Sequence, residues 1–186
     1  LAAAGSLYAD SYRKVEEPPA DGEFVIDLAN ILDENAESEI NGICAALLEE
    51  QGVPVITVTI SSMHVYSSLT YSAPGCYAVE YMAKNLMEEW TSADDDCMGM
   101  PWDMAILFLV AVEDRKARID MGAHWGTSMD STCVELMNGH IVFHFKRGDY
   151  PEGIIAGVTG LDRIARGLEL PRAPHSTTFY IVWGLV

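Results

Sequence analysis

Asp103-Met-Ala-Ile-Leu-Phe-Leu-Val-Ala-Val-Glu-Asp-Arg-Lys-Ala-Arg-Ile-Asp-Met-Gly122 decides the fold. From Met104 to Val112 nine apolar residues run without a break, the pattern of a strand covered on both faces. Glu113-Asp114-Arg115-Lys116 is a polar turn. Ala117 to Met121 then alternates apolar and charged, as an outer strand with one face toward solvent does. The stretch predicts a hairpin at the middle of a sheet.

Working outward, Val55-Ile-Thr-Val-Thr-Ile60 is a β-branched strand. It follows a helix that Asp33 caps, with Glu34 and Glu37 in the first turn where the helix dipole favours negative charge. Ile40, Ile43, Cys44, Leu47 and Leu48 fall at the spacing of one apolar helix face. Gly52 ends that helix and Pro54 prevents its return. Phe24-Val25-Ile26 is a short apolar entry before it. Residues 61–75, rich in Ser, with Tyr66 and Tyr71 and ending at Gly75, read as a loop of unusual length, a common contact surface. A second helix runs from Cys76 to Trp90, with Val79, Met82, Ala83, Leu86 and Trp90 inward and Glu80, Lys84, Glu88 and Glu89 outward. Met82 and Met87 read as core filler.

Beyond Gly122 a helical stretch, Ser131 to Asn138, is ended by Gly139. His140-Ile-Val-Phe-His-Phe145 suits a strand or a helix. Pro151 opens a last helix, with Ile154, Val158, Leu161 and Ala165 on one face. Strands 55–60 and 104–112, joined by a helix, form a right-handed parallel crossover, and 117–121 adds antiparallel. The fold class is α/β: a mixed, largely parallel sheet of about four strands with helices on both faces, an α/β/α sandwich. The domain is expected over residues 23–170, between an extended arm at 1–22 and a tail at 171–186.

The chain has 186 residues, 49% of them hydrophobic, enough for one core. Its net charge of −17 argues against nucleic-acid binding, because a phosphate backbone needs a basic footprint. Such a balance suits solubility, cation binding or a basic partner surface. Cys44, Cys76, Cys97 and Cys133 contain no C-x-x-C pair, so they make no zinc framework. Cys76 and Cys97 could staple the segment around the second helix, whereas Cys44 reads as a core residue. The opening Leu-Ala-Ala-Ala-Gly-Ser has the small residues that flank leader cleavage sites. Phe179-Tyr-Ile-Val-Trp-Gly-Leu-Val186 is apolar and uncharged. It is either the start of a transmembrane helix or a tail packed on the domain or a partner.

With these elements placed, the chain resembles the TPM domain family, which includes thylakoid-lumen and photosystem II repair proteins and bacterial membrane-anchored relatives. Four stretches carry the resemblance, over about residues 24–168. They are Val25-Ile-Asp27-Leu-Ala-Asn30-Ile-Leu32 and the strand from Val55 to Ile60. Next comes Trp90 with Asp103, Asp114-Arg115, Arg118-Ile119 and Gly122, and then Phe145-Lys-Arg-Gly148-Asp149-Tyr150 with Gly153, Ile154 and Gly157. The chain departs from the family where Gly-x-Gly-Leu-Glu usually follows the hairpin: it has Gly122-Ala-His124-Trp125-Gly126, without the acid. Of the usual Asp-Asn-Gly before the buried strand only Asp103 survives, and Phe143 stands near an expected proline. These departures fall around loops at one sheet end, where ligands bind in open α/β folds.

The candidate metal ligands are Asp27, Asp94, Asp95, Asp96 and Asp103, hard oxygen donors of the kind Ca²⁺ takes 6–8 of. The resemblance implies the same, since family members are described as calcium-binding or as acid phosphatases. The spacing matches no EF-hand loop. His140 and His144 would share a face if helical, and zinc could bridge them with Asp149. Ser61-Ser62 with His64 lacks a nucleophile elbow. The candidate partner interface comprises His64, Tyr66, Tyr71, His124, Trp125, Phe179, Tyr180 and Trp183, on the loops and the tail.

The eroded loop motif, the aromatic-bearing 61–75 loop and the apolar tail lead to one expectation. The domain is a non-catalytic accessory subunit or assembly factor that docks on subunits of a membrane protein complex, requires no cofactor, and associates with the membrane through its C-terminus. The resemblance places it on the non-cytosolic face, in a thylakoid lumen or a bacterial periplasm. The rivals are a metal-dependent acid phosphatase on the aspartate cluster and a calcium-binding module.

Overall fold

A computed structural model describes residues 22–66, 79–92 and 101–173, together with Val15 and Pro19. Four strands, β1 (Val25–Asp27), β2 (Val55–Ile60), β3 (Ile106–Ala111) and β4 (Lys116–Met121), form one sheet in the order β1-β2-β3-β4. The first three run parallel, with Val25 opposite Thr57 and Val55 opposite Ile106. β4 returns antiparallel, with Ile106 opposite Met121 and Ala111 opposite Lys116. The unbroken apolar run is buried at all six positions of β3, while in β4 only Ile119 is buried. The apolar entry 24–26 supplies the fourth strand. Three residues are too few to show the alternation that marks a strand in sequence.

Helices cover both faces. On one, α3 (Val79–Ser92) packs Val79, Ala83, Leu86 and Trp90 against Ile56, Val58, Ile60, Leu107 and Leu109. Trp90 and Trp102 lie 6.1 Å apart between ring centroids there. On the other, α1 (Glu34–Gln51) and α6 (Tyr150–Ala165) cover Val55, Ile106, Phe108 and Val110. Each such side chain, fully buried, contributes about 1.5–3 kcal/mol. The Asp33 carboxylate accepts from the Ala36 N–H at 2.8 Å, and Gly52, at φ 68°, closes α1 through the Leu48 carbonyl. Arg166 ties the end of α6 to α1, donating to Asp162 and to Glu50. Those two bonds push its pKa further above its ordinary value.

Beyond shifts of one or two residues at element ends, two stretches differ from the sequence reading. The expected 61–75 loop begins as a short helix, α2 (Met63–Tyr66), started by Ser62, whose carbonyl accepts from the Val65 N–H. The helix read as ending at Gly139 continues instead: α4 (Asp130–Leu136) passes through a π-turn (Met137–Ile141) into α5 (Val142–Phe145). Leu136 and Ile141 are both fully buried, and their spacing of five matches the π repeat. Burying both outweighs the roughly 1 kcal/mol that a mid-helix glycine costs. His140-Ile-Val-Phe-His-Phe145 is therefore helical.

Of the cysteines, Cys44 is fully buried, and burial, reinforced by Asp162, pushes its thiol up to about 12. It is a core residue and stays protonated at neutral pH. Burial first and Asp130 second push Cys133 up to about 11. Cys76 and Cys97 lie outside the described residues.

Candidate functional site

The parallel strands give the sheet a carboxyl end and an amino end, and the candidate residues divide between them. At the carboxyl end β1 finishes on Asp27, which is level with Thr59 of β2. One carboxylate oxygen of Asp27 accepts from the Ile31 N–H at 2.9 Å and the Leu32 N–H at 2.8 Å. The other accepts from the Thr59 hydroxyl, which itself accepts from the Ala29 N–H at 3.2 Å. This wraps 28–32 around the carboxylate and sets Asn30 at φ 53°, a left-handed conformation that asparagine tolerates. Asp27-x-x-Asn30 is thus a brace for the β1–α1 turn.

The hairpin tip lies at the same end. Val112 and Glu113 donate to the carbonyls of Ile60 and Ser61, extending the β2–β3 ladder. Asp114 accepts from the Met63 N–H at 2.7 Å, joining the tip to α2. His64 is exposed on α2. Arg115 closes the turn onto the Val112 carbonyl with φ 52°. Beside it opens a cavity of about 1030 Å³. Val110 and Ala111 of β3, the start of β4, Val79 and Glu80 of α3, and Met137, Val142, Phe145 and Tyr150 line it. Arg115, Lys116 and Lys146 bring three cations to that lining.

At the amino end, a 3₁₀ turn (Trp102–Met104) carries Asp103 into β3, and a second (Ala123–Trp125) follows β4. Gly122 donates to the Ala105 carbonyl at 2.8 Å. Trp125 donates its indole N–H to the Met104 carbonyl at 2.9 Å and packs on the core. It is a clamp between the two turns, and His124, exposed, meets its ring edge-on at 5.7 Å.

The structure therefore does not bring Asp27 and Asp103 together. Asp27 is level with Thr59, which lies opposite Val110, and Asp103 precedes that residue by seven positions. At about 3.3 Å per residue the two are roughly 20 Å apart along the sheet. His64 and His124 are divided in the same way. The departures at 103–105 and 122–126 lie at the amino end, not at the carboxyl end where open α/β sheets hold ligands, which corrects the sequence reading for those two loops. Phe143 lies in α5, and the 61–75 segment follows the carboxyl end of β2. His140 is buried with no partner for Nε2 among the described residues, and His144 faces Asp149 at 3.7 Å. Among the described residues no three His, Cys, Asp or Glu side chains are grouped to hold a metal. Asp94, Asp95, Asp96, Tyr71, Phe179, Tyr180 and Trp183 lie outside the described residues, as does the side chain of Tyr66.

Sequence reasoning missed the cavity. The signal was present: of eleven Lys and Arg residues, Arg115, Lys116, Arg118, Lys146 and Arg147 fall in two short stretches. Only the fold joins those stretches at one corner.

A family model of the TPM domain matches residues 25–164. The chain belongs to the TPM domain family. No curated protein sequence matches it. Among solved structures, this TPM domain is similar to the N-terminal domain of a Porphyromonas gingivalis protein. The identity there is 22%, with 88% of this chain and 98% of that one covered and a TM-score of 0.61. It is also similar to the BA42 protein of Bizionia argentinensis, at 15% identity over 76% of this chain and 87% of that one, TM-score 0.55. A third is the N-terminal domain of a Corynebacterium glutamicum protein, at 13% identity over 83% and 87%, TM-score 0.53. At these identities the likeness is one of fold.

The brace makes a prediction. In Asp27→Ala, the N–H groups of Ile31 and Leu32 and the Thr59 hydroxyl lose their acceptor, and the domain should lose about 1–3 kcal/mol in urea denaturation. Asp27→Asn keeps one acceptor oxygen and should lose less. Equal stability of Asp27→Ala and the native chain would show that the carboxylate is not a brace.

Proposed function

We propose that this TPM domain is a non-catalytic accessory subunit or assembly factor that docks on a membrane protein complex. One observation carries the reading: both oxygens of Asp27, one of the candidate acids of a metal or phosphatase site, are engaged by two backbone amides and a hydroxyl. A carboxylate held in this way positions a turn and has little capacity left for a cation that asks for 6–8 oxygens. The surface, at −17, suits a partner with a basic face. His124, held up by the Trp125 clamp, offers an exposed ring on a rigid turn, so little ordering is needed on docking. The compartment we favour is the thylakoid lumen, with a bacterial periplasm second. Membrane association would run through the C-terminal segment. Among the described residues no helix is long and apolar enough to cross a membrane.

The test is native. Membranes of the source are solubilised gently, the complexes are separated by size, and the chain is located by mass spectrometry. Migration with a large assembly is the expected result, and His124→Ala should reduce it severalfold while leaving the melting temperature unchanged. Migration near its own 20.4 kDa would overturn the reading. Millimolar calcium should not raise the melting temperature; a ligand present at a hundred times its dissociation constant would add about 2.7 kcal/mol, a shift too large to miss.

A further inference from the structure

The cavity at the hairpin corner combines features that the docking reading does not use. Its floor is apolar: Val110 is 1% exposed, and Val142 and Phe145 are half-buried beside it. Its rim is cationic, with Arg115, Lys116 and Lys146 exposed around the opening. At about 1030 Å³ it is at the upper end of the range for small-molecule sites, which are apolar with a few placed polar groups.

The charges are unusual for this chain. Acids outnumber Lys and Arg by 28 to 11, so an average surface cation has carboxylates at hand. Lys84, Arg118 and Arg166 pair with them. Among the described residues Arg115, Lys116 and Lys146 form no ion pair, and Glu80 is the one carboxylate in the lining. Three like charges gathered at one opening repel one another, and an anion there would relieve that.

The backbone adds an independent observation. Arg115 occupies the left-handed position of the turn, at φ 52°. Glycine or asparagine is the favoured occupant of such a position, because a Cβ there crowds the following carbonyl at a cost of roughly 1–2 kcal/mol. A strained residue of this kind at an exposed turn points to a use for its side chain. Local folding does not ask for it.

We propose that this corner binds an anionic amphiphile, with its hydrocarbon body on Val110, Val142 and Phe145 and its anionic head held by Arg115, Lys116 and Lys146. The ligand class is a single-chain compound ending in a carboxylate or a phosphate. The proposal stands apart from the docking reading.

Octanoate and octyl phosphate are the probes, with octyl glucoside as a neutral control and inorganic phosphate as a control without a tail. Each is titrated by calorimetry into the full chain and into Arg115→Gly. The variant removes the guanidinium and relieves the left-handed strain, so its melting temperature should equal or exceed that of the native chain. The expected result is saturable binding of at least one octyl anion, at least tenfold tighter than octyl glucoside or phosphate. Arg115→Gly should weaken it tenfold or more. Preference between the two octyl anions identifies the head group. Equal binding of octyl glucoside, equal binding of inorganic phosphate, no binding of either octyl anion, or unchanged binding in Arg115→Gly would each overturn the proposal. Val142→Asp, on the floor, provides a second variant that should abolish binding of the hydrocarbon body.

Discussion

Gly122→Ala is expected to destabilise the domain by about 3 kcal/mol or more, the upper part of the range for overpacking, because the obstruction is main chain. A Cβ at 122 would overlap the Asp103 carbonyl oxygen and lie 2.7 Å from the Trp102 oxygen. Neither side can yield cheaply. Gly122 N–H is bonded to the Ala105 carbonyl, its own carbonyl accepts from the Trp125 N–H at 3.1 Å, and the Trp125 indole fastens that turn to Met104. The backbone at 122 is ordinary, φ −59° and ψ 167°, so the requirement is for space and not for unusual torsions. Gly52 supplies the contrast. It adopts φ 68° with nothing within 4 Å of a Cβ, so Gly52→Ala should lose only about 1–2 kcal/mol from left-handed strain. For a domain of this size the first variant should melt about 6–12 °C lower, measured by circular dichroism. Similar losses for both would remove the close-approach argument.

The sheet was legible wherever burial wrote a pattern long enough to read. The nine-residue apolar run, the β-branched 55–60 stretch and the capped helix at 34–51 each state one structure through composition, spacing and ends. The π-turn was not legible, because Gly139 signals a helix stop and only the packing of Leu136 and Ile141 overrides it. The aspartates misled for a related reason. Asp27 and Asp103 have the chemistry of ligands, but their distance depends on strand direction, and three parallel strands put them at opposite ends. The family signature was legible because Asp27, Asn30, Asp114 and Gly122 are turn-builders. The structure gives each a bond, a left-handed torsion or a close approach to explain it. Arg118 pairs with Asp120 and Arg147 stacks on Phe143, but the side chains of Arg115, Lys116 and Lys146 have no such local partner among the described residues, and what they share is the corner.

Phe108→Ala should have the other large effect, a loss of about 3–5 kcal/mol, of the order of a marginal domain's whole stability. Phe108 is fully buried at the centre of β3, and its ring sits in a notch left by Gly157 on α6. A Cβ at 157 would stand 2.6 Å from the ring's Cε1 and 3.1 Å from Cζ, with the Ile141 Cδ1 also at 3.1 Å. The glycine therefore works against helix propensity by roughly 1 kcal/mol so that helix and sheet can approach. The same trade recurs on that helix, where Gly153 faces Phe145 and Gly160 faces Leu136. A pair built this way must be coupled. Phe108→Leu shortens the side chain and should lose stability by leaving a gap, and Gly157→Ala should lose it by crowding. In the double variant the new methyl enters the vacated space and recovers helix propensity. The combined loss should therefore be smaller than the sum by about 0.5–3 kcal/mol, the usual coupling of residues in contact. Losses that simply add in urea denaturation would mean the ring and the glycine do not meet. Val110 is two residues beyond Phe108 on the same face and forms the floor of the cationic corner, so the notch that seats α6 also fixes one wall of the proposed binding site.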